Sequence, residues 1–213
     1  MLSFRCIAVA AITIVLTACI GGGIRPGSGS QERWQLSGKI GLRAPQLAES
    51  AYVNWRQCGD SFSVRISGPL GQTVARIDGR DDRLTLQFEG RAPMVTSEPE
   101  LLMQEQLGWS LPIRALRYWV RAEAAAGGDA EFSGAQLQPS TLRQQGWQVD
   151  YLAYHQNGAT ILPAKLRLNR NDQAGSGHDN LQATLLINEW LLGDATDCPS
   201  MPAPPMHPTP QRQ

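Results

Sequence analysis

Apolar and polar residues alternate with a period of two through most of the chain. Trp34, Leu36, Ile40 and Leu42 share one parity, as do Ala51, Val53 and Trp55 a short distance on. Phe62, Val64 and Ile66 follow, then Leu84, Leu86 and Phe88. Trp147, Val149 and Tyr151 repeat the pattern, and so do Leu181, Ala183, Leu185 and Ile187. Successive strand side chains point to opposite faces, so each run predicts a strand with one apolar and one polar side. The segments between the early runs are Cys58-Gly59-Asp60, Gly68-Pro69-Leu70-Gly71 and Asp78-Gly79-Arg80-Asp81-Asp82. They are short and rich in turn formers, which joins antiparallel neighbours. The expected body is one curved antiparallel sheet rather than a βαβ chain.

Between residues 97 and 120 the period changes. Ser97 and Glu100 have capping-box spacing, Pro99 falls in the first turn, and Leu101, Leu102 and Leu107 form an apolar stripe. Gly108 is placed to end that helix, and Pro112 opens a second one carrying Ile113, Leu116, Trp119 and Val120 on one side. Two short amphipathic helices in a long meander can plug the concave side of a half-closed barrel. Such a plug is either ordinary core or a lid over an apolar ligand, and composition alone leans to the core.

The chain has 213 residues, of which 42% are apolar and only 18% charged, with 19 basic and 19 acidic side chains. A neutral, lightly charged chain gives no electrostatic reason to bind nucleic acid. Three His, none at metal-ligand spacing, and four scattered Cys lend no support to a metal centre, and no cofactor is expected. No Ser-centred elbow or His-paired Cys marks a nucleophile, so a non-enzymatic role is expected. Cys58 and Cys198 can pair in an oxidising compartment, but sequence does not place them within reach. His155 reads as lying just past a strand and His178 in a polar loop. Arg114 and Arg117, flanking the second helix, read as solvent-facing.

The ends of the chain have different compositions. Arg5 precedes an apolar stretch at residues 7–16, too short to span a bilayer permanently, and Leu16-Thr17-Ala18-Cys19 closes it with small residues. This resembles a bacterial lipobox, which implies a leader at 1–18 and acylation of Cys19. Ile20, rather than Asp, after that cysteine favours export to the outer membrane. Residues 19–31 are Gly- and Ser-rich and read as a flexible tether, and residues 199–213, with six Pro, as an extended tail. The folded unit is then 32–198.

Trp55, Ser67-Gly68-Pro69-Leu70-Gly71, Leu111-Pro112-Ile113-Arg114-Ala115-Leu116-Arg117-Tyr118-Trp119, Gln145-Gly146-Trp147-Gln148-Val149-Asp150-Tyr151, Pro163 and Trp190 occur in one order. From about Trp34 to Trp190 the chain resembles the LolB family of outer-membrane lipoprotein receptors. It departs after Trp119, where Val120-Arg121-Ala122-Glu123 runs into an Ala/Gly-rich stretch instead of Gly-x-Pro. A longer or looser loop is expected there.

The resemblance implies a mainly β fold, an open, incomplete antiparallel barrel with a short helical lid over a hydrophobic cavity. It implies a monomer that takes acylated lipoproteins from the soluble periplasmic carrier LolA and delivers them into the inner leaflet of the outer membrane. The partners are then that carrier, client acyl chains and outer-membrane phospholipid, with no nucleic acid. Leu70, in a turn where a polar residue would be usual, can fold back onto the sheet; the resemblance implies that it is exposed and aids delivery. Candidates for the acyl cavity are Leu102, Leu107, Ile113, Leu116 and Trp119 from the lid. The sheet would add Val53, Trp55, Val64, Ile66, Trp147 and Ile187. Each has simple core packing as its alternative. The competing functions are a lipid-anchored envelope scaffold that binds no ligand and an acyl-substrate hydrolase.

Overall fold

The computed structural model describes residues 33–45, 47–80, 83–170, 181–193 and Cys198. The leader, lipobox, tether, Pro-rich tail and His178 lie outside the described residues. Six strands come first, β1 (Arg33–Ala44), β2 (Leu47–Cys58), β3 (Ser61–Ser67), β4 (Thr73–Arg80), β5 (Arg83–Phe88) and β6 (Met94–Thr96). Two helices follow, α1 (Pro99–Leu107) and α2 (Ile113–Trp119). Five strands complete the fold, β7 (Glu131–Ala135), β8 (Gln138–Gln144), β9 (Trp147–Asn157), β10 (Thr160–Arg170) and β11 (Gln182–Leu192).

All eleven strands join one antiparallel sheet in the order β6-β5-β4-β3-β2-β1-β11-β10-β9-β8-β7. Two meanders are thus fused where the first strand pairs with the last, and the short strands β6 and β7 are left as unjoined edges. This topology explains the lid. The chain finishes the first meander at one edge and must restart at the other, and the segment that makes the crossing contains both helices. A barrel that does not close is covered by its own connection.

At the β1–β11 seam the register shifts between Ser37 and Gly38. A Cβ on Gly38 would collide with the Leu186 carbonyl, so glycine is what lets the two backbones meet there. The alternation seen in sequence is the burial pattern of the strands. Trp34, Leu36 and Leu42 are buried on β1, with Val53 and Trp55 on β2, Phe62 and Val64 on β3, and Leu84 and Leu86 on β5. One expected turn is shorter than its composition suggests. Asp78, Gly79 and Arg80 belong to β4, because Gly79 makes room for the Phe62 ring on the neighbouring strand. His155 likewise lies within β9 rather than past it.

One end of the sheet is closed by aromatic rings. Trp34 sits between Trp55 and Trp190, with ring centroids 5.5 and 5.4 Å away, and Trp55 meets Phe62 at 5.8 Å. Trp190 donates its indole N–H to the Pro163 carbonyl (2.9 Å), and Trp55 donates to the buried Gln57 side chain (3.2 Å). At the same end Arg33 pairs with Cys58, and Cys58 is disulfide-bonded to Cys198 with their Cα atoms 5.8 Å apart. The first hairpin and the end of the domain are therefore covalently joined across a separation of 140 residues. Among the described residues, no helix is long and apolar enough to cross a membrane.

Candidate functional site: a lidded apolar interior and an exposed turn

Helix α2 has only seven residues, too few to stand without tertiary support. It buries Ile113, Ala115, Leu116 and Trp119 against the sheet, and Trp119 is 0% exposed. Its C-terminal end is held by a buried polar group. The Trp119 indole N–H and the Ala125 backbone N–H both donate to Gln144 Oε1, at 2.8 and 2.9 Å. Gln144 Nε2 in turn donates to the Ala125 carbonyl at 2.8 Å. From β9 the Tyr151 hydroxyl donates to the Trp119 carbonyl at 2.9 Å. Burial pushes the Tyr151 phenol up from its ordinary value, with Tyr154 and Glu123 adding to the effect, so it stays a neutral donor.

Gln144 completes the site and was absent from the sequence-derived candidates. Sequence carried no signal for it, since β8 (QPSTLRQ) has polar Gln138 and Ser140 at the same parity as Leu142 and Gln144, and only burial in the fold singles Gln144 out. It also settles the loop after α2, which is not loose. Gln144 fixes Ala125, Gln145 donates to the Gly127 carbonyl at 3.0 Å, and Arg121 pairs with Glu123 at 3.0 Å.

Helix α1 is held differently. It buries only Pro99 and Met103, while Leu102 and Leu107 are half-buried. Leu101 is 54% exposed, so it is not part of the apolar stripe expected of it. The capping box is also absent. Glu98 is the N-cap residue and makes no side-chain cap, and Thr96 Oγ1 accepts its backbone N–H instead. Gly108 ends the helix as expected, in the left-handed conformation at φ 75°. Two arginines tie α1 to its surroundings. Arg91 donates to Gln106 Oε1 and Arg114 to the Ser97 carbonyl, each at 3.1 Å. Arg117 does not face solvent. It stacks over the Tyr118 ring at 4.7 Å, donates to the Tyr118 hydroxyl, and reaches Asp60 at 3.7 Å.

All eleven acyl-cavity candidates fall in one continuous apolar cluster. Val53, Trp55, Val64, Ile113, Leu116, Trp119, Trp147 and Ile187 are buried in it, and Ile66, Leu102 and Leu107 pack against it half-buried. Inward side chains of the sheet and of α2 make up that cluster together. The two clearest cavities among the described residues open on the outer face of the sheet, with volumes of about 460 and 250 Å³, and of the eleven only Val53 borders either.

The Gly68-Pro69-Leu70-Gly71 turn is well formed. Gly71 N–H donates to the Gly68 carbonyl and Gly68 N–H to the Gln72 carbonyl, both at 2.9 Å. Gly71 takes φ +83°, a conformation that favours glycine. Leu70 does not fold back onto the sheet. It is 93% exposed, the most exposed large apolar side chain among the described residues. No group of three or more potential metal ligands occurs among the described residues.

An unclosed antiparallel sheet whose connecting helices cover an apolar interior defines a class of half-open, lidded β folds. The family profile of the outer membrane lipoprotein LolB matches residues 32–190, and the chain belongs to that family. An outer-membrane lipoprotein LolB of Stutzerimonas stutzeri is 42% identical over 158 residues, covering 74% of this chain and 73% of that protein. One from Pseudomonas fluorescens is 38% identical over 159 residues, covering 74% of each. Among solved structures, a putative outer membrane lipoprotein-sorting protein domain from Vibrio parahaemolyticus superposes with a TM-score of 0.50 at 10% identity. It covers 80% of this chain and 88% of that one, and so the likeness is one of fold.

Proposed function

We propose that this chain is an outer-membrane receptor that accepts acylated lipoproteins from the soluble periplasmic carrier and inserts them into the inner leaflet. Membership of the LolB family supports this reading, and the single observation that carries it furthest is Leu70, held out in solvent by a rigid turn. An acyl chain of about sixteen carbons costs on the order of 12 kcal/mol to expose, at roughly 0.8 kcal/mol per methylene. Transfer therefore runs from one apolar interior to another and then to lipid, with no covalent step. Helix α1 lifts, and the half-buried Ile66, Leu102 and Leu107 are the first candidates to meet an acyl chain. Val53, Val64, Ile113, Leu116, Trp147 and Ile187 line the space behind them. Trp119 stays as the fixed wall, and Trp55 belongs to the aromatic end of that space.

Cys19 is acylated and anchors a single copy of the chain to the outer membrane through the tether. Leu70 enters the bilayer and opens the way for the client. Replacing Leu70→Glu leaves uptake of acylated lipoprotein from the carrier unchanged and lowers its delivery into outer-membrane vesicles by tenfold or more, on the order of the cost of placing a carboxylate in lipid. Normal delivery by that variant refutes the role of the turn. Release of free fatty acid during the same assay would instead favour an acyl-hydrolase, and failure to bind an apolar fluorescent probe would favour a scaffold.

A further inference from the structure

The strand register shows where the charges go. Opposed residues of an antiparallel pair point to one side, so each strand can be sorted into inward and outward positions. Across β3, β2, β1, β11 and β10 the outward positions carry Arg65, Arg56, Lys39, Arg43, Lys165 and Arg167, with Arg33 at the far end, against the carboxylates of Glu189 and, where β2 begins, Glu49. The next strand, β9, adds Asp150, whose carboxylate already accepts from Gln148 (2.7 Å) and Asn169 (3.1 Å). The net charge of the chain is zero, so this face is basic at the expense of the rest. Part of the balance lies on and before α1, in Glu98, Glu100 and Glu105.

One row of that face interleaves charge with apolar surface. Lys165, Leu186, Lys39, Tyr52 and Ser67 stand side by side on five adjacent strands. Leu186 and Tyr52 are 42% and 45% exposed, and the Lys39 ammonium lies 5.0 Å from the centre of the Tyr52 ring. The row ends at Ser67, the residue from which the Leu70 turn leaves. Beside it is the 460 Å³ groove, floored by Gly41 and lined by Arg43, Lys165, Arg167, Ser50 and Thr184, with Glu49 at its rim. Arg167 Nε in that groove is shielded from solvent and has no hydrogen-bond partner among the described residues.

We propose that this convex face seats on an anionic phospholipid surface, the groove taking lipid phosphate groups while Tyr52 and Leu186 enter the headgroup layer. Alternating cations and apolar side chains suit that interface, and one acyl anchor plus a basic surface makes a stable attachment where either alone is weak. The chain outside the fold permits it. Thirteen residues separate Cys19 from Arg33, a reach of about 45 Å when extended, against roughly 40 Å for the twelve-residue β1. The body can therefore lie along the bilayer instead of standing on one end. This inference rests on the outer-membrane placement proposed above and adds the surface that holds the body against the bilayer.

The test uses the full chain purified from membranes and reconstituted into vesicles with no client present. A fluorophore at Thr184→Cys reports contact with lipid-borne quenchers. Strong quenching is expected on vesicles containing phosphatidylglycerol and little on pure phosphatidylcholine, with loss in about 0.5 M salt. The combined variant Lys39→Gln, Arg43→Gln, Lys165→Gln and Arg167→Gln should reduce occupancy of the quenched state tenfold or more, at about fivefold per cation. The pair Lys39→Gln and Lys165→Gln, both exposed, gives a smaller loss of the same sign should the fourfold variant fail to fold. Quenching that ignores lipid charge, or that survives the substitutions, overturns the proposal. So does normal vesicle contact by the fourfold variant together with lost uptake in a separate assay with client-loaded carrier, which would assign the face to an acidic protein partner. Client delivery is not read here, so a failure of the Leu70 role and a failure of this face remain distinguishable.

Discussion

The two lid helices have similar lengths and opposite attachments. Helix α2 drives four side chains into the sheet and has its end fixed by Gln144 and Tyr151. Helix α1 buries two, presents Leu101 to solvent, has no side-chain cap, and is tied down by arginine hydrogen bonds at the surface. Local opening free energy follows buried apolar contact and shielded hydrogen bonding. The first helix is therefore the less firmly attached of the two, and in the proposed transfer it is the part that would move while the second stays as the post. A lid made of two equal helices would either stay shut or come away whole.

The largest expected effect is at the post. Trp119→Ala removes a fully buried indole and should cost about 3–5 kcal/mol in denaturant unfolding. A loss under about 1 kcal/mol would mean that α2 is no firmer than α1. Gln144→Leu keeps the volume but strands the Trp119 N–H and both backbone groups of Ala125, for an expected loss of about 2–4 kcal/mol. Tyr151→Phe deletes one shielded hydrogen bond and should cost about 1 kcal/mol. It also changes the pH profile. The phenol of the folded protein titrates above its unfolded value of 10.0, so the unfolded chain loses that proton first. Stability is complete below about pH 10 and falls as pH rises beyond it, and the fall should be shallower in Tyr151→Phe. On the mobile side, Arg91→Ala should change stability by less than about 0.5 kcal/mol. It should nevertheless speed uptake of an apolar fluorescent probe, a split that Trp119→Ala would not show.

Most of the strands could be read from sequence because each has one wet face, and alternation records that directly. The helices were legible for the same reason, through Pro99, Gly108 and Pro112. Finer features of the first helix were not. Ser97 and Glu100 have the spacing of a cap, but Thr96 reaches the free backbone N–H first, and Leu101 turns away from the stripe. The seam was also hidden. Pairing of β1 with β11 is a contact between distant segments, and local periodicity carries no information about it. The disulfide was legible only as a pair that could form, Cys58 with Cys198, because the two become neighbours only once that seam has formed. Gln144 was hidden as well, because it lies in a polar stretch, Thr141-Leu142-Arg143-Gln144-Gln145, and nothing local separates the one buried glutamine from its exposed neighbours. The apolar interior was legible as a set of residues, since all eleven candidates share one cluster, while its shape depends on contacts between distant strands that periodicity does not record.

The Cys58–Cys198 bond has a mechanical consequence. Arg33 lies opposite Cys58 on the neighbouring strand, so the first and last described residues, Arg33 and Cys198, meet at one covalently closed corner. A pull arriving through residue 33 or through residue 198 is carried by that corner. The Leu70 turn, near the other end of the strands, and the arginine latches of α1 bear none of it. With the anchoring proposed above, a pull on the chain would load this corner and not the lid.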